Sequence, residues 1–504
     1  MKQQVKWCLL GITLFCSLSF LIHSSSFSLA TEKGVNNLVA QNSSVTNRFQ
    51  TLAEADRLYR LGEIAAAEKL YRQAKPNFPD TPTATREYVP PVYEVTEIRE
   101  KGQQLWQKAQ DGIARGLDSK AFFNLQTLIK FYPEFIPAHI TLSEFCLEKA
   151  EYCETTAQDK YPSNPREIME QLTNIYPDEP DILKSNINFL VHAGEKDYDN
   201  YLEASISARQ FALFFVDYPE APEFNQLADE YLDEYQSKLK GDLISTTIAC
   251  GVLGAVTNTL DRCEIISLML QGESKVGATI SEQYVKQFKD QNRLVNNGEV
   301  NKYIEGIAGR MTPYLGRNFD YEFYVVKDDA FNAFALPGGK IFINTGAIEN
   351  TKSEAELAGL IGHELSHAAF SHGYRRIAQS SLTGVVGSVI PFGNLVYEVV
   401  GKQYSRSNER QADIVGTRVL AASGYAADGL RNMMLTLGGI EGEAALESLN
   451  NADSKSQTSW RDTHPAPIDR VRYLEQLIVD HGYNRYAYEG VTSHQQIQQS
   501  LRAS

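Results

Sequence analysis

The stretch AELAGLIGHELSHAAFSHG, Ala355 to Gly373, sets three histidines and two glutamates in an otherwise apolar run. Burying such groups unpaired is expensive, so a helix that carries them into a core must also supply their partners. Ser353, with Glu356 three residues on, has the pattern of a capping box and starts that helix. Within it His363 and His367 lie four residues apart, about 40° in projection at 3.6 residues per turn, so both imidazoles share one face and can clasp one ion. Neutral imidazole is a favoured zinc ligand. Glu364 is offset round the helix, where its carboxylate reaches a water beside the ion and not the ion itself, the place of a general base. Solvated histidines on a wet helix face are the bland alternative. The apolar flanks on both sides of the motif speak against it.

A tetrahedral site that acts on a substrate needs a third protein ligand and an open fourth position. The segment YSRSNERQADIVGTRVLAASGY offers Glu409, with Asp413 four residues later on the same face of a second helix. Glu409 would ligate through oxygen, and Asp413 would accept a hydrogen bond from the outer nitrogen of a ligand histidine. This spacing alone is weak and gains its weight beside the first motif.

Taken together, His363-Glu364-x-x-His367 and Glu409-x-x-x-Asp413 resemble the gluzincin metallopeptidases of the CAAX-prenyl-protease type, with the exported HtpX/BepA-like branch the closer likeness. NAFALPGG, Asn332 to Gly339, resembles that family's edge strand beside the active site. DTHPAPIDRVRYL, Asp462 to Leu474, resembles its His-Pro segment, with His464 and Arg470 at the matching positions. The resemblance implies one zinc per chain on His363, His367 and Glu409, with Glu364 as catalytic base and Asp413 behind a ligand histidine. It makes His464 a second catalytic residue, which either steadies the oxyanion or fills the open metal position in a closed resting state. It assigns Asn332, Ala333, Phe334, Ala335 and Leu336 to substrate binding by backbone pairing. His372 has no role in the pattern and is read as structural. The implied reaction is peptide-bond hydrolysis by a zinc metalloendopeptidase, with exported, misfolded or envelope proteins as substrates.

A chain of 504 residues is too long for one core. Lys2 and Lys6 precede the uncharged run Trp7 to Ile22, and Ser28 and Ala30 close a small-residue stretch, the layout of a signal peptide over residues 1–30. The run is short for a membrane anchor, so export to a periplasm or another extracytoplasmic compartment is expected. Residues 31–47 are polar and read as a disordered linker. From 48 to 240 the chain reads as a helical-repeat array of tetratricopeptide (TPR) type. Ala53, Leu58, Gly62, Ala66, Leu70, Tyr71 and Ala74 recur at helical spacing, with Gly62 at the turn between two helices. The segments FYPEFIP, IYPDEP and DYPEAP recur beyond it, each proline pair ending one helix and starting the next. Such an array suits docking of protein partners. In the family resemblance these units follow the protease domain, whereas here they precede it.

The fold expected is therefore mainly α: the repeat array, then an α+β zincin-type domain with a small sheet over 241–480 and a tail over 481–504, read as a packing helix or a loose end. Phe319, Tyr321, Phe323 and Val325 are expected on one strand face, and Lys340 to Asn344 as a second strand after a Pro337-Gly338-Gly339 turn. The uncharged stretches 243–260 and 377–397 are diluted by Gly, Ser, Thr and Asn, and read as buried or interfacial, so any membrane association is peripheral. A formal charge of -15 argues against nucleic acid. After signal removal Cys146, Cys153, Cys250 and Cys263 remain, as two disulfides or four thiols. On an unbroken helix Cys146 and Cys153 would lie roughly 10 Å apart, so a bridge there needs a turn between them. The competing function is a helical-repeat adaptor or chaperone-like binder with a structural or closed metal site. Glu364 argues against it, because a structural site has no use for a base.

Overall fold

The structure is a computed structural model that describes residues 47–75, 77–78, 91–156, 164–176, 179–215, 218–253, 267–383, 404–437, 464 and 467–503. The expected signal peptide and all but the last residue of the expected linker lie outside these. The chain forms two compact units, Met1–Asn77 and Phe78–Ser504. Among the described residues it is mostly helical with one small sheet, as the patterning requires.

In the first unit, helix α1 (47–60) and helix α2 (Ile64–Ala74) are joined through Gly62, whose φ of 79° is the left-handed turn that glycine adopts without strain. The buried face of α2 is Ala67, Tyr71 and Ala74, whereas Ala66, expected inside, is exposed. In the small-residue run Ala65–Ala67 no side chain is large enough to choose a face. Tyr71 chooses it, by burying its ring and donating to Asp56 Oδ1 at 2.6 Å.

The second unit opens with a layer of helices: α3 (Glu100–Ala114), α4 (Asp118–Phe131), α5 (Ile136–Glu148), α6 (Ala150–Thr156), α7 (Pro165–Ile175), α8 (Pro180–Gly194), α9 (Asp199–Phe214) and α10 (Ala221–Leu253). The second proline of each recurring segment does what the sequence led one to expect. Pro137 and Pro180 sit in first turns, where an amide N–H would go unused, and Pro222 is the second residue of α10; Pro165, outside those segments, starts α7 in the same way. Residues 243–253 of the first uncharged stretch continue α10, and the rest lie outside the described residues. Among the described residues no helix is long and apolar enough to cross a membrane. Between α5 and α6 Lys149 leaves helical geometry (φ -120°, ψ 50°). That break brings the Cys146 and Cys153 Cα atoms to 5.6 Å, and the two form a disulfide. Cys263 and the side chain of Cys250 are outside the described residues.

Beyond α10 come α11 (Glu273–Asp290), α12 (Gly298–Met311) and a three-stranded sheet of β1 (Glu322–Val326), β2 (Ala333–Leu336) and β3 (Lys340–Asn344) in the order β1-β3-β2. β1 runs parallel and β2 antiparallel to β3, with Pro337–Gly339 turning β2 into β3. The face expected to hold Phe319, Tyr321, Phe323 and Val325 is only partly realised. β1 begins at Glu322, and the aromatic that anchors it is Tyr324, on the opposite face. Tyr324 is in register with Phe342 and stacks on it at 4.8 Å, Phe334 stacks on the same ring at 5.0 Å, and Tyr284 of α11 closes the group at 5.5 Å. Three aligned rings fix this pleat more firmly than alternating hydrophobicity does.

The sheet leads through α13 (Thr345–Asn350) into α14 (Glu354–Ala369), every residue of which is buried. Around it lie β2, α12, α16 (Arg406–Ala422) and α17 (Gly429–Leu437), with α15 (His372–Thr383) following it directly. Ser353 caps α14 by accepting from the Glu356 N–H at 3.2 Å. The reciprocal bond of a capping box is displaced by one residue: Glu356 Oε2 accepts from the Lys352 N–H, while the Ser353 hydroxyl donates to Glu489 Oε2. The chain closes with α18 (Pro467–Asp480) and α19 (Val491–Arg502). The tail is a packing helix. His494 of α19 is 1% exposed, with Nδ1 2.8 Å from the Tyr303 hydroxyl and Nε2 3.0 Å from the Thr351 carbonyl oxygen.

The helical layer is tied to this region by a buried ion-pair group. Glu203 of α9 pairs with Arg166 of α7 and, at 2.6 Å, with Arg375 of α15. Burial pushes the Glu203 carboxyl up, and the two guanidinium groups more than offset this, leaving it below its ordinary value.

Candidate metal centre

Two helices that nearly touch build the site. On α14, Gly362 faces Gly416 of α16, where an added Cβ would lie 3.2 Å from the His363 amide nitrogen, and this close approach brings Glu409 and Asp413 up to the two histidines. On its next face α14 meets α17 at Gly359, where a Cβ would lie 2.4 Å from the Leu430 amide nitrogen. The Gly359 crossing leaves no room for a Cβ, whereas the Gly362–Gly416 crossing is tight but not closed.

His363, His367, Glu409 and His464 are all buried, and one donor atom from each lies within 4.8 Å of the others. The Nε2 atoms of His363 and His367 are 3.1 Å apart, and each lies 3.6 Å from a Glu409 oxygen. Ligands at 2.0–2.1 Å from a tetrahedral zinc stand about 3.3–3.4 Å from one another, which these separations bracket. His464, just ahead of α18, puts Nε2 3.8 Å from Glu409 Oε1 and 3.7 Å from Glu364 Oε1.

The outward contacts support the same reading. His363 Nδ1 lies 2.9 Å from Asp413 Oδ1, a contact that draws the ring proton to Nδ1 and leaves the Nε2 lone pair facing inward. Asp413 also accepts two bonds from Arg470 (2.8 and 2.6 Å) and one from the Tyr473 hydroxyl. Burial raises the Asp413 carboxyl, but Arg470 and His363 hold it well below the usual carboxylate range. Arg470 Nη1 also lies 2.7 Å from Glu409 Oε2, yet both Glu409 oxygens are buried and accept no well-aligned hydrogen bond. Burial pushes the Glu409 carboxyl up to about 9, partly opposed by Arg470 and reinforced by Asp413 and Glu364. Burial lowers His367 well below its usual value, with His363 and His372 adding to the effect, so the ring is neutral. Neutral imidazoles, a carboxylate and outer partners that fix ring orientation are the donor chemistry zinc prefers. The residues fit the ion.

All four predicted cluster residues therefore converge, with Glu364 beside His464 and Asp413 behind His363. The predicted substrate strand is less uniform. Ala333–Leu336 form β2, an outer strand of the sheet that contacts α14, while Asn332 precedes it and lends its carbonyl oxygen to the Asn344 N–H at 3.0 Å. Three neighbours were not anticipated. Tyr404 stacks on His367 at 4.0 Å, His372 Nδ1 lies 2.8 Å from His367 Nδ1, and Gln411 Oε1 lies 3.1 Å from His372 Nε2. The sequence hinted at His372 only through its nearness to the motif. Gln411 lies two residues from both Glu409 and Asp413, a spacing that points it to another side of α16.

Comparison with known proteins agrees with this picture. Residues 295–478 match the model of peptidase family M48. The beta-barrel assembly-enhancing protease of Yersinia pestis is 26% identical over 223 residues, 39% of this chain and 46% of that protein. The metalloprotease LoiP of Escherichia coli (strain K12) is 28% identical over 211 residues, 39% of this chain and 78% of the relative. The mitochondrial metalloendopeptidase OMA1 of Arabidopsis thaliana is 26% identical over 214 residues, 41% of this chain and 39% of the relative. The chain thus spans under half the length of the assembly-enhancing protease it matches. The resemblance to a BepA-like zinc metallopeptidase holds for the region that carries the four motifs, and the family match begins at residue 295.

Proposed function

We propose that the metallopeptidase-type region at 295–478 hydrolyses peptide bonds in other polypeptides, with His363, His367 and Glu409 as zinc ligands. The observation that carries this reading is the convergence of two inward-facing imidazoles and a carboxylate at tetrahedral separations, with a separate carboxylate, Glu364, beside them. Zinc, when held there, lowers the pKa of water toward about 7 and polarises the scissile carbonyl. Glu364 then takes the proton from the attacking water and returns it to the leaving amine. Asp413 keeps the His363 proton on Nδ1. His464 stands beside Glu364, where it would donate to the developing oxyanion or close the fourth position at rest. The outer edge of β2 would align the substrate chain by main-chain hydrogen bonds.

The helical hairpins before this region would dock substrates or partners in the manner of TPR-like repeats, and the basic-then-apolar start of the chain supports work outside the cytoplasm. Exported or envelope proteins are the substrate class that follows. Casein digestion by the purified protein, with and without a zinc chelator, beside Glu364→Gln, tests the reading. Cleavage should vanish in the variant while one zinc remains bound. Undiminished cleavage by Glu364→Gln would dismiss the mechanism. Stoichiometric zinc with no cleavage of any unfolded polypeptide would favour the adaptor reading.

A further inference from the structure

The two histidine ligands are held from behind by different chemistry. Behind His363 stands a carboxylate, whereas behind His367 stands another imidazole, His372, and behind that the Gln411 side-chain amide. An amide oxygen only accepts, so the proton shared with Gln411 Oε1 belongs to His372 Nε2. A neutral imidazole carries one proton, which leaves a lone pair on His372 Nδ1. The 2.8 Å contact then requires the proton on His367 Nδ1, so His367 Nε2 presents a lone pair toward His363 and Glu409. Turning the amide round would reverse every link and put a proton on His367 Nε2, where it would block an ion. We propose that Gln411 and His372 form a tautomer relay that holds His367 ready for the metal, with His372 as the positioning residue.

The fold is built to keep this relay. α14 ends at Ala369, and Ser371 takes a φ of 54°, unusual for a residue other than glycine, which starts α15 at His372. His372 is 2% exposed, and the Phe370 ring packs parallel to it at 5.5 Å. Because the acceptor behind His367 is uncharged, its ring is a weaker donor than His363, which is backed by a carboxylate. The site is thereby asymmetric.

The inference rests on the metal-centre reading but can fail separately from it. The test compares zinc affinity, by competition with a chromophoric chelator, for the wild type, His372→Phe, His372→Asn and Gln411→Leu. His372→Phe keeps ring volume and loses the acceptor, and should weaken zinc about 10–100-fold. His372→Asn places an amide oxygen near the former Nδ1 and should stay within about threefold of wild type, with Gln411→Leu in between. Imidazole nitrogen shifts in the zinc-free protein should show His367 protonated on Nδ1 in the wild type and mixed in Gln411→Leu. Wild-type zinc affinity in folded His372→Phe, or an Nε2-protonated His367 in the wild type, would overturn the relay. A wild type that binds no zinc would overturn the metal centre, and the nitrogen shifts would still decide the relay. Should His372→Phe not fold, the Gln411→Leu affinity and shifts decide it.

Discussion

Replacing Arg470 by Met is the most demanding test of how the centre is supported. Arg470 is 5% exposed, bonds both oxygens of the fully buried Asp413, and approaches Glu409 to 2.7 Å. Met keeps much of the side-chain volume, so little of the effect comes from a cavity. What remains, among the described residues, is a buried Asp413 carboxylate with His363 and Tyr473 as partners. Breaking a buried pair from one side costs about 3–5 kcal/mol, mostly the uncompensated charge. The zinc-bound protein should respond differently. Arg470 repels a cation arriving at Glu409 and His363, so its removal leaves the cluster more negative and zinc should restore part of the loss. Urea unfolding of wild type and Arg470→Met, each zinc-free and zinc-saturated, followed by circular dichroism, reads both effects. A zinc-free loss under about 1 kcal/mol would show that Asp413 does not depend on this guanidinium and would refute the argument.

Three further expectations follow from named contacts. Gly359→Ala drives a methyl into the Leu430 backbone and should cost about 1–3 kcal/mol, read as a lowered unfolding temperature, with an unchanged one refuting the close crossing. Burial raises the Glu356 carboxyl to about 7, above its unfolded value, so it favours the folded state at acid pH and loses that advantage as pH climbs to about 7. Glu356→Gln should therefore gain on wild type by up to about 3 kcal/mol between pH 5 and 8, and parallel pH profiles would contradict it. Removing both Cys146 and Cys153 should cost about 2–3 kcal/mol under oxidising conditions, and a difference that persists in reductant would point to packing instead of the cross-link.

Much of the centre was legible because helical spacing is rigid. Four residues separate His363 from His367 and Glu409 from Asp413, and each spacing dictates a shared face whatever the tertiary context. The capping serine and the turn before β3 were legible for the same local reason. What escaped depends on contacts remote in sequence or on steric choice. Ala66 and Ala67 are chemically alike, and only the packing of Tyr71 decides which is inside. Phe342 selected Tyr324 over its neighbours through strand register, which is set across the sheet. His372 looked idle because its partner, Gln411, lies 39 residues on and on a side of its helix that the motif spacing does not mark. The Cys146–Cys153 bridge needed a helix break at Lys149, a residue with no special tendency to make one.

The Glu203–Arg375 pair carries a mechanical consequence. Arg375 and His372 stand three residues apart on the first turn of α15, so α9 grips the same short segment that braces His367, a proposed metal ligand. A peptidase region cut free of residues 78–253 would strip that guanidinium of its carboxylate partners, and the segment would slacken where its precision matters most. The leading helices would then serve the ion as a clamp, whatever else they recognise, and weight applied to them would be felt at the cluster.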